Sequence, residues 1–173
     1  MCMYNCSSVI VIPDNKPKRC WVIKDVTPDG KVMSYFQIGV ENKIGKIMNT
    51  GYSLNYFIGI DVIRKGMYHA FKRKKDAIEY LKYRIRIFRD SCGEIFYANG
   101  SGYSVSGKIS GISGANDVDC IGFTKLLIIK KVSNRKKLIE EINEESKFPL
   151  SDRHKWYYWE VMENENNGKK RWR

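Results

Sequence analysis

The sequence predicts an α+β fold, a mostly antiparallel sheet with one main amphipathic helix over about residues 74–89 and a shorter helix over about 134–147. Three observations predict it. Runs of β-branched and aromatic residues recur along the chain without an alternating strand–helix rhythm. Thr27-Pro28-Asp29-Gly30 separates two such runs with residues that pre-set a tight turn, so they read as a hairpin. The apolar period becomes helical only after Lys74, where Ala77, Ile78, Leu81, Ile85 and Phe88 share one face.

Taken in order, residues 1–6 are short and loosely held, and 8–12 form a β-branched run stopped by Pro13, which predicts a buried strand. Residues 21–26 and 31–38 are the arms of the hairpin, 41–50 are Gly-punctuated and weakly patterned, and 54–63 read as another strand. Gly66 turns the chain into a short extended segment, Tyr68 to Phe71, and a basic corner leads into the main helix. Asp76 near the start of that helix and Arg86 and Arg89 near its end both suit its dipole. Lys75, Lys82, Arg86 and Arg89 fall largely on the face opposite the apolar stripe.

Residues 94–98 resume extended structure. The Gly/Ser-rich stretch 99–117 reads either as a mobile loop or as a glycine-broken pair of strands at 103–105 and 108–109. Residues 121–129 predict a strong strand, and Ser133 or Asn134 caps the second helix, whose stripe is Leu138, Ile139 and Ile142. Residues 156–162 fit strand or helix by pattern, and their aromatics favour a strand. A single domain over 1–162 is expected, with 163–173 a disordered basic tail.

The 173 residues carry a net charge of +12, a field that favours phosphate backbones, anionic membranes or acidic protein surfaces. The excess is densest in residues 66–90, with eight basic residues against three acidic ones. No apolar run approaches the roughly 20 residues that span a bilayer, so no membrane span is expected. Five cysteines at irregular gaps, no CxxC pair and no charged-plus-apolar leader favour a reducing cytoplasm. Lys, Ile, Asn and Tyr are abundant and alanine occurs only at 70, 77, 98 and 115, a bias typical of AT-rich coding.

Several catalytic patterns are incomplete. Gly102 to Lys108 matches most of a phosphate-binding loop, but Ile109 replaces the hydroxyl residue that would hold Mg²⁺, and no helical period follows. Cys2, Cys6, Cys20 and His69 are four residues of zinc-ligand type, at gaps that match no zinc finger. A thiol nucleophile would have to come from Cys2 or Cys92 with His69 as base. The expectation is therefore no catalytic residue, no metal and no cofactor, and His69 is read as structural.

Nucleic-acid contact requires cations for phosphate and often aromatics for bases. The candidate contact residues are Lys72, Arg73, Lys74, Lys75, Lys82, Arg86 and Arg89, with Trp156 and Trp159 from a second aromatic-basic cluster. No recognition-motif grammar accompanies either cluster.

Gly66, His69 and Phe71 followed by Asp76-Ala77, a helix, and the strand from Ile121 resemble a module of small phage and large-DNA-virus proteins. There a G-x-H-x-F segment precedes a D-A helix; here one more residue separates Gly66 from His69, and the resemblance covers about residues 60–132. It implies a viral or mobile-element setting and assigns no catalytic residue. The expected function is a small basic accessory protein that contacts nucleic acid or a nucleoprotein, including a host defence complex, or else an acidic protein surface. The expected location is the host cytoplasm. The alternatives are a minor structural or assembly protein of a virion and a cysteine-dependent enzyme.

Overall fold

A computed structural model describes residues 3–27, 29–34, 41–51, 66–88, 93–109 and 118–145. The strands there are β1 (Met3–Tyr4), β2 (Ile10–Ile12), β3 (Lys18–Val26), β4 (Val32–Ser34), β5 (Glu41–Asn42), β6 (Ile47–Asn49), β7 (Tyr68–Phe71), β8 (Gly93–Ile109) and β9 (Val118–Lys131). The helices are α1 (Lys74–Phe88) and α2 (Arg135–Glu145). Every strand pairing among the described residues is antiparallel, in keeping with the mostly antiparallel sheet expected.

The two longest strands organise the sheet. Fully extended, the 17 residues of β8 would reach about 57 Å, whereas a compact domain of this length is roughly 40 Å across. The strand has to bend, and it does so together with β9 at two register shifts, between Tyr97 and Ala98 and between Ser101 and Ser104. At the second, Gly102 adopts a φ of 78° and the Tyr103 amide donates to Thr124 Oγ1 at 2.9 Å, a bulge that a side chain at Gly102 would crowd. The bend lets β8 pair with β3 along its first half and with β2 and β1 along its second. In β9, the first half takes β7 and the second takes β6. A single register pair, Trp21 with Phe71, joins β7 to β3, so the ladder β3–β8–β9–β7 returns on itself.

Closing the ladder creates two apolar layers. Ile12, Cys20, Val22, Ala70, Phe96, Ala98, Ile121, Phe123, Leu126 and Ile128 fill the inward face. The outward face carries Ile23, Phe71, Ile95, Val105 and Cys120 under Ala77, Tyr80, Leu81 and Ile85 of α1 and Leu138 and Ile142 of α2. Of the helical stripe read from the sequence, Ala77, Leu81 and Ile85 are buried and Ile78 is half-buried, with Tyr80 joining them through a ring contact to Phe71 at 5.4 Å. Asn134 makes the cap of α2, its Oδ1 accepting from the Lys137 amide at 3.2 Å. Ser133 is used elsewhere, donating from its hydroxyl to Glu94 and accepting from the Ile95 amide at 2.7 Å.

Two expectations are corrected. Residues 99–109 are neither a loop nor two short strands: they continue β8 without a break. The glycines there allow close approach, since a Cβ at Gly100 would come within 2.3 Å of the Phe123 ring. Residues 8–12 are not a buried strand. Only 10–12 pair, on the flank of β8, and Ile10 and Val11 stand 48% and 66% exposed. The expected strand at 54–63, the segment 156–162 and the tail lie outside the described residues. No described helix is long and apolar enough to cross a membrane.

Candidate nucleic-acid interface

The basic corner follows from where β7 stops. Phe71 is buried beneath Tyr80, and the next four residues, Lys72 and Arg73 of the turn and Lys74 and Lys75 that open α1, face outward into solvent. Arg73 folds back on Asp76 with two hydrogen bonds, Nε at 2.8 Å and Nη2 at 3.0 Å, and its guanidinium is raised further in pKa by that carboxylate. The pairing fixes the turn and places the Asp76 charge in the first turn of α1. It leaves Arg73 72% exposed.

Sheet register brings further residues to this corner. Trp21 stands opposite Phe71, so Arg19, two positions earlier on the same face of β3, lies next to the corner. Trp21 also stands opposite Tyr97, and Tyr97 opposite Lys130. One cross-strand row therefore runs Phe71–Trp21–Tyr97–Lys130 over β7, β3, β8 and β9. Exposure rises along it: Phe71 is buried, Trp21 and Tyr97 are half-buried, and Lys130 is exposed. The row beyond contains Arg19, Asn99, Leu127 and Ile47, again ending exposed on both sides. The helix layer covers the first residue of the first row and leaves the rest of this face open.

The cations divide into two groups. Lys31 pairs with Asp29 at 2.8 Å, Lys125 with Asp14 at 2.6 Å and Lys131 with Glu94 at 3.6 Å. Lys82 was expected on the open face of the main helix, and this is corrected: it is 8% exposed and pairs with Glu141 of α2 at 2.8 Å. The second helix packs over that side of α1, so Lys82 holds the helices together. Among the described residues the exposed cations with no such pair are Lys16, Lys18, Lys43, Lys46, Lys108, Lys136 and Lys137 and the five that concern this face, Arg19, Lys72, Lys74, Lys75 and Lys130. These last five border the corner and the open face. Arg86 lies within α1, and Arg89, Trp156 and Trp159 lie outside the described residues.

Sequence reasoning identified the corner and missed Arg19, Trp21, Tyr97 and Lys130. Each sits in a strand-forming run and looks unremarkable there. Only pairing between strands nearly 80 residues apart assembles them.

The chemistry-bearing groups elsewhere are sequestered. Cys20 donates its thiol to the Ala98 carbonyl at 3.5 Å, and burial pushes its pKa up to about 12. Burial likewise raises the Cys120 thiol, with the nearby Cys6 adding to the shift. Neither is a thiolate nucleophile at neutral pH. Cys2 and Cys92 lie outside the described residues. The Nε2 atom of His69 is buried without a hydrogen-bond partner, and burial, with the Lys24 charge adding to it, lowers its pKa to about 4. Cys20 points inward while His69, on the face of Phe71, points outward, so they do not converge on a metal. No group of three His, Cys, Asp or Glu among the described residues is placed to hold one. The segment from Gly102 to Lys108 lies in a β ladder, with the Tyr103 and Ser106 amides donating to the Thr124 and Ser7 hydroxyls, rather than presenting its amides to a phosphate at a helix start.

Comparison of the chain with protein-family models, curated proteins and solved structures gave no match, so the argument for function rests on the corner and the open face.

Proposed function

We propose that this chain is a small basic accessory protein, of viral or mobile-element type, that contacts nucleic acid, free or within a nucleoprotein, through the 72–75 corner and the adjoining sheet face. One observation carries the reading: five exposed cations without carboxylate partners, Arg19, Lys72, Lys74, Lys75 and Lys130, border one sheet face that also carries the half-buried aromatics Trp21 and Tyr97. A phosphate backbone rewards that arrangement because each neutralised phosphate releases counterions. The composition and the viral-type module support the setting, and the buried thiols of Cys20 and Cys120, which form no disulfide, suit host cytoplasm.

Anisotropy titrations with labelled DNA and RNA over a salt series test this. Binding should fall linearly in log affinity against log salt. The triple variant Lys72→Ala, Lys74→Ala, Lys75→Ala should flatten that slope by about 2 and weaken binding roughly ten- to hundred-fold. Arg73 is kept so that the Asp76 contact survives. Negligible binding of both nucleic acids at low salt would end this reading.

A second reading, an assembly or minor virion protein, draws on a different observation. Ile10, Val11, Ile44 and Ile47 are large apolar side chains half or more exposed on outer strands and their turns. Sedimentation would reveal it as concentration-dependent association that Val11→Lys and Ile47→Lys abolish; a monomer at every concentration speaks against self-assembly.

A further inference from the structure

The face beside the corner carries more than charge. Trp21 packs against the layer beneath α1 yet stays half-buried, and Tyr97 next to it is half-buried as well. Their ring centroids lie 6.3 Å apart with planes inclined at 57°, so the two rings are neighbours without covering one another. Arg19 and Asn99 border them on one side and Lys130 on another. Three interstrand spacings, about 14 Å, separate the β7 corner from Lys130, a span that a few nucleotides cover.

We infer that this face takes single-stranded nucleic acid, two bases stacking on Trp21 and Tyr97 while the backbone follows Arg19, Lys130 and the 72–75 corner. The inference rests on the phosphate-binding reading above and names its ligand. Charge alone would serve a duplex equally well, but a duplex hides its base faces in its own stack. Aromatic rings set among cations serve a strand whose bases are unstacked. The rings stand on the paired strands β3 and β8, and Trp21 is anchored by the core, so little side-chain freedom is lost on binding. Stacking uses a π-face that every base has, so the site selects single-strandedness over sequence. An acidic protein surface offers the rings no comparable partner.

The test uses the full chain and three labelled probes: an oligothymidylate of about a dozen nucleotides, an abasic phosphodiester of equal length, and a duplex of that length. At matched salt the oligothymidylate should bind about ten-fold more tightly than the abasic chain, and more tightly than the duplex. Tyr97→Leu, which keeps an apolar side chain on the strand, should bring oligothymidylate down to the abasic level, while Tyr97→Phe should keep most of the difference. Equal affinity for oligothymidylate and the abasic chain would overturn the stacking site and leave phosphate binding standing. Tighter binding of the duplex would also overturn it. Failure of all three probes to bind would remove both readings.

Discussion

Gly100→Ala is expected to destabilise the protein by about 3 kcal/mol, a large effect for the addition of one methyl group. Gly100 lies in β8 where that strand is paired on both sides, with Lys18 of β3 and Leu126 of β9. The Phe123 ring rests on it, and a Cβ built there would stand only 2.3–2.5 Å from the ring atoms Cγ, Cδ1 and Cδ2. Phe123 is fully buried among Phe96, Ala98, Ile121 and Leu126, so it has no free volume to retreat into. The backbone has no freedom either, because two ladders hold it. Urea unfolding would show the loss as a lower midpoint, and thermal unfolding as a fall of roughly 6–12 °C for a chain of this size.

The companion variant identifies the cause. Phe123→Leu alone should cost about 1–2 kcal/mol through the volume it vacates. Combined with Gly100→Ala, it makes room for the methyl group, so the double variant should be more stable than the two separate losses predict, by at least about 1 kcal/mol. A Gly100→Ala protein within about 0.5 kcal/mol of the parent would refute the close packing.

Gly100 also shows why part of the fold was hard to read from sequence. Glycine and serine in series signal turns, and 99–117 was accordingly read as a loop or broken strands. The same residues serve a strand that must bend and approach an aromatic ring closely, as Gly100 and Gly102 do here. Local signals cannot separate the two uses, because the deciding neighbours, Phe123 and Thr124, are more than 20 residues away. Where the information was local, the reading held: Thr27 to Gly30 makes the expected hairpin, with the Gly30 amide donating to the Thr27 carbonyl at 2.9 Å, and the 74–88 period makes the expected helix. Lys82 was misplaced for the same physical reason as the loop. Its helical position faced away from the apolar stripe, and its actual partner, Glu141, belongs to a helix 50 residues later. The candidate interface divides likewise, with the corner written in consecutive residues and the aromatic face in strand register.

Lys24→Met is expected to stabilise the protein at neutral pH by about 2 kcal/mol, with the gain vanishing in alkali. Lys24 is only 7% exposed. Its cross-strand neighbour on β8 is Glu94, but that carboxylate is engaged by Ser133 and Lys131. Among the described residues, what remains to the amine is the ring of Tyr68, 5.7 Å from centroid to Nζ, and the opposing pull of Asp25. Burial wins over Asp25 and lowers the Lys24 pKa from 10.5 to about 8. A shift of that size corresponds to roughly 3 kcal/mol against the charged form; the methionine gives up the ring contact, worth about 1 kcal/mol, which leaves the stated gain.

The direction with pH follows from proton counting. Between pH 8 and 10.5 the unfolded chain holds the Lys24 proton and the folded chain has released it. The unfolded state then binds more protons, so the parent gains stability as pH rises, at up to about 1.4 kcal/mol per pH unit. Below pH 8 the penalty is constant, and above 10.5 it is gone. Cys20 and Cys120 act in the opposite sense above pH 9, because their folded thiols keep protons that the unfolded thiols lose. His69 adds a separate acid limb, since the folded imidazole with a pKa of about 4 stays neutral where the unfolded one takes up a proton below 6.5. The thiol contributions are common to parent and variant and cancel in the difference, while the His69 contribution, which the Lys24 charge itself influences, falls below the pH range compared. The measurement is therefore the gap in unfolding free energy between Lys24→Met and the parent, followed by urea titration from neutral pH to beyond 10.5. The gap should hold steady up to about pH 8 and close above it. A gap that stays constant through that window would mean that Lys24 is not a buried amine with a lowered pKa.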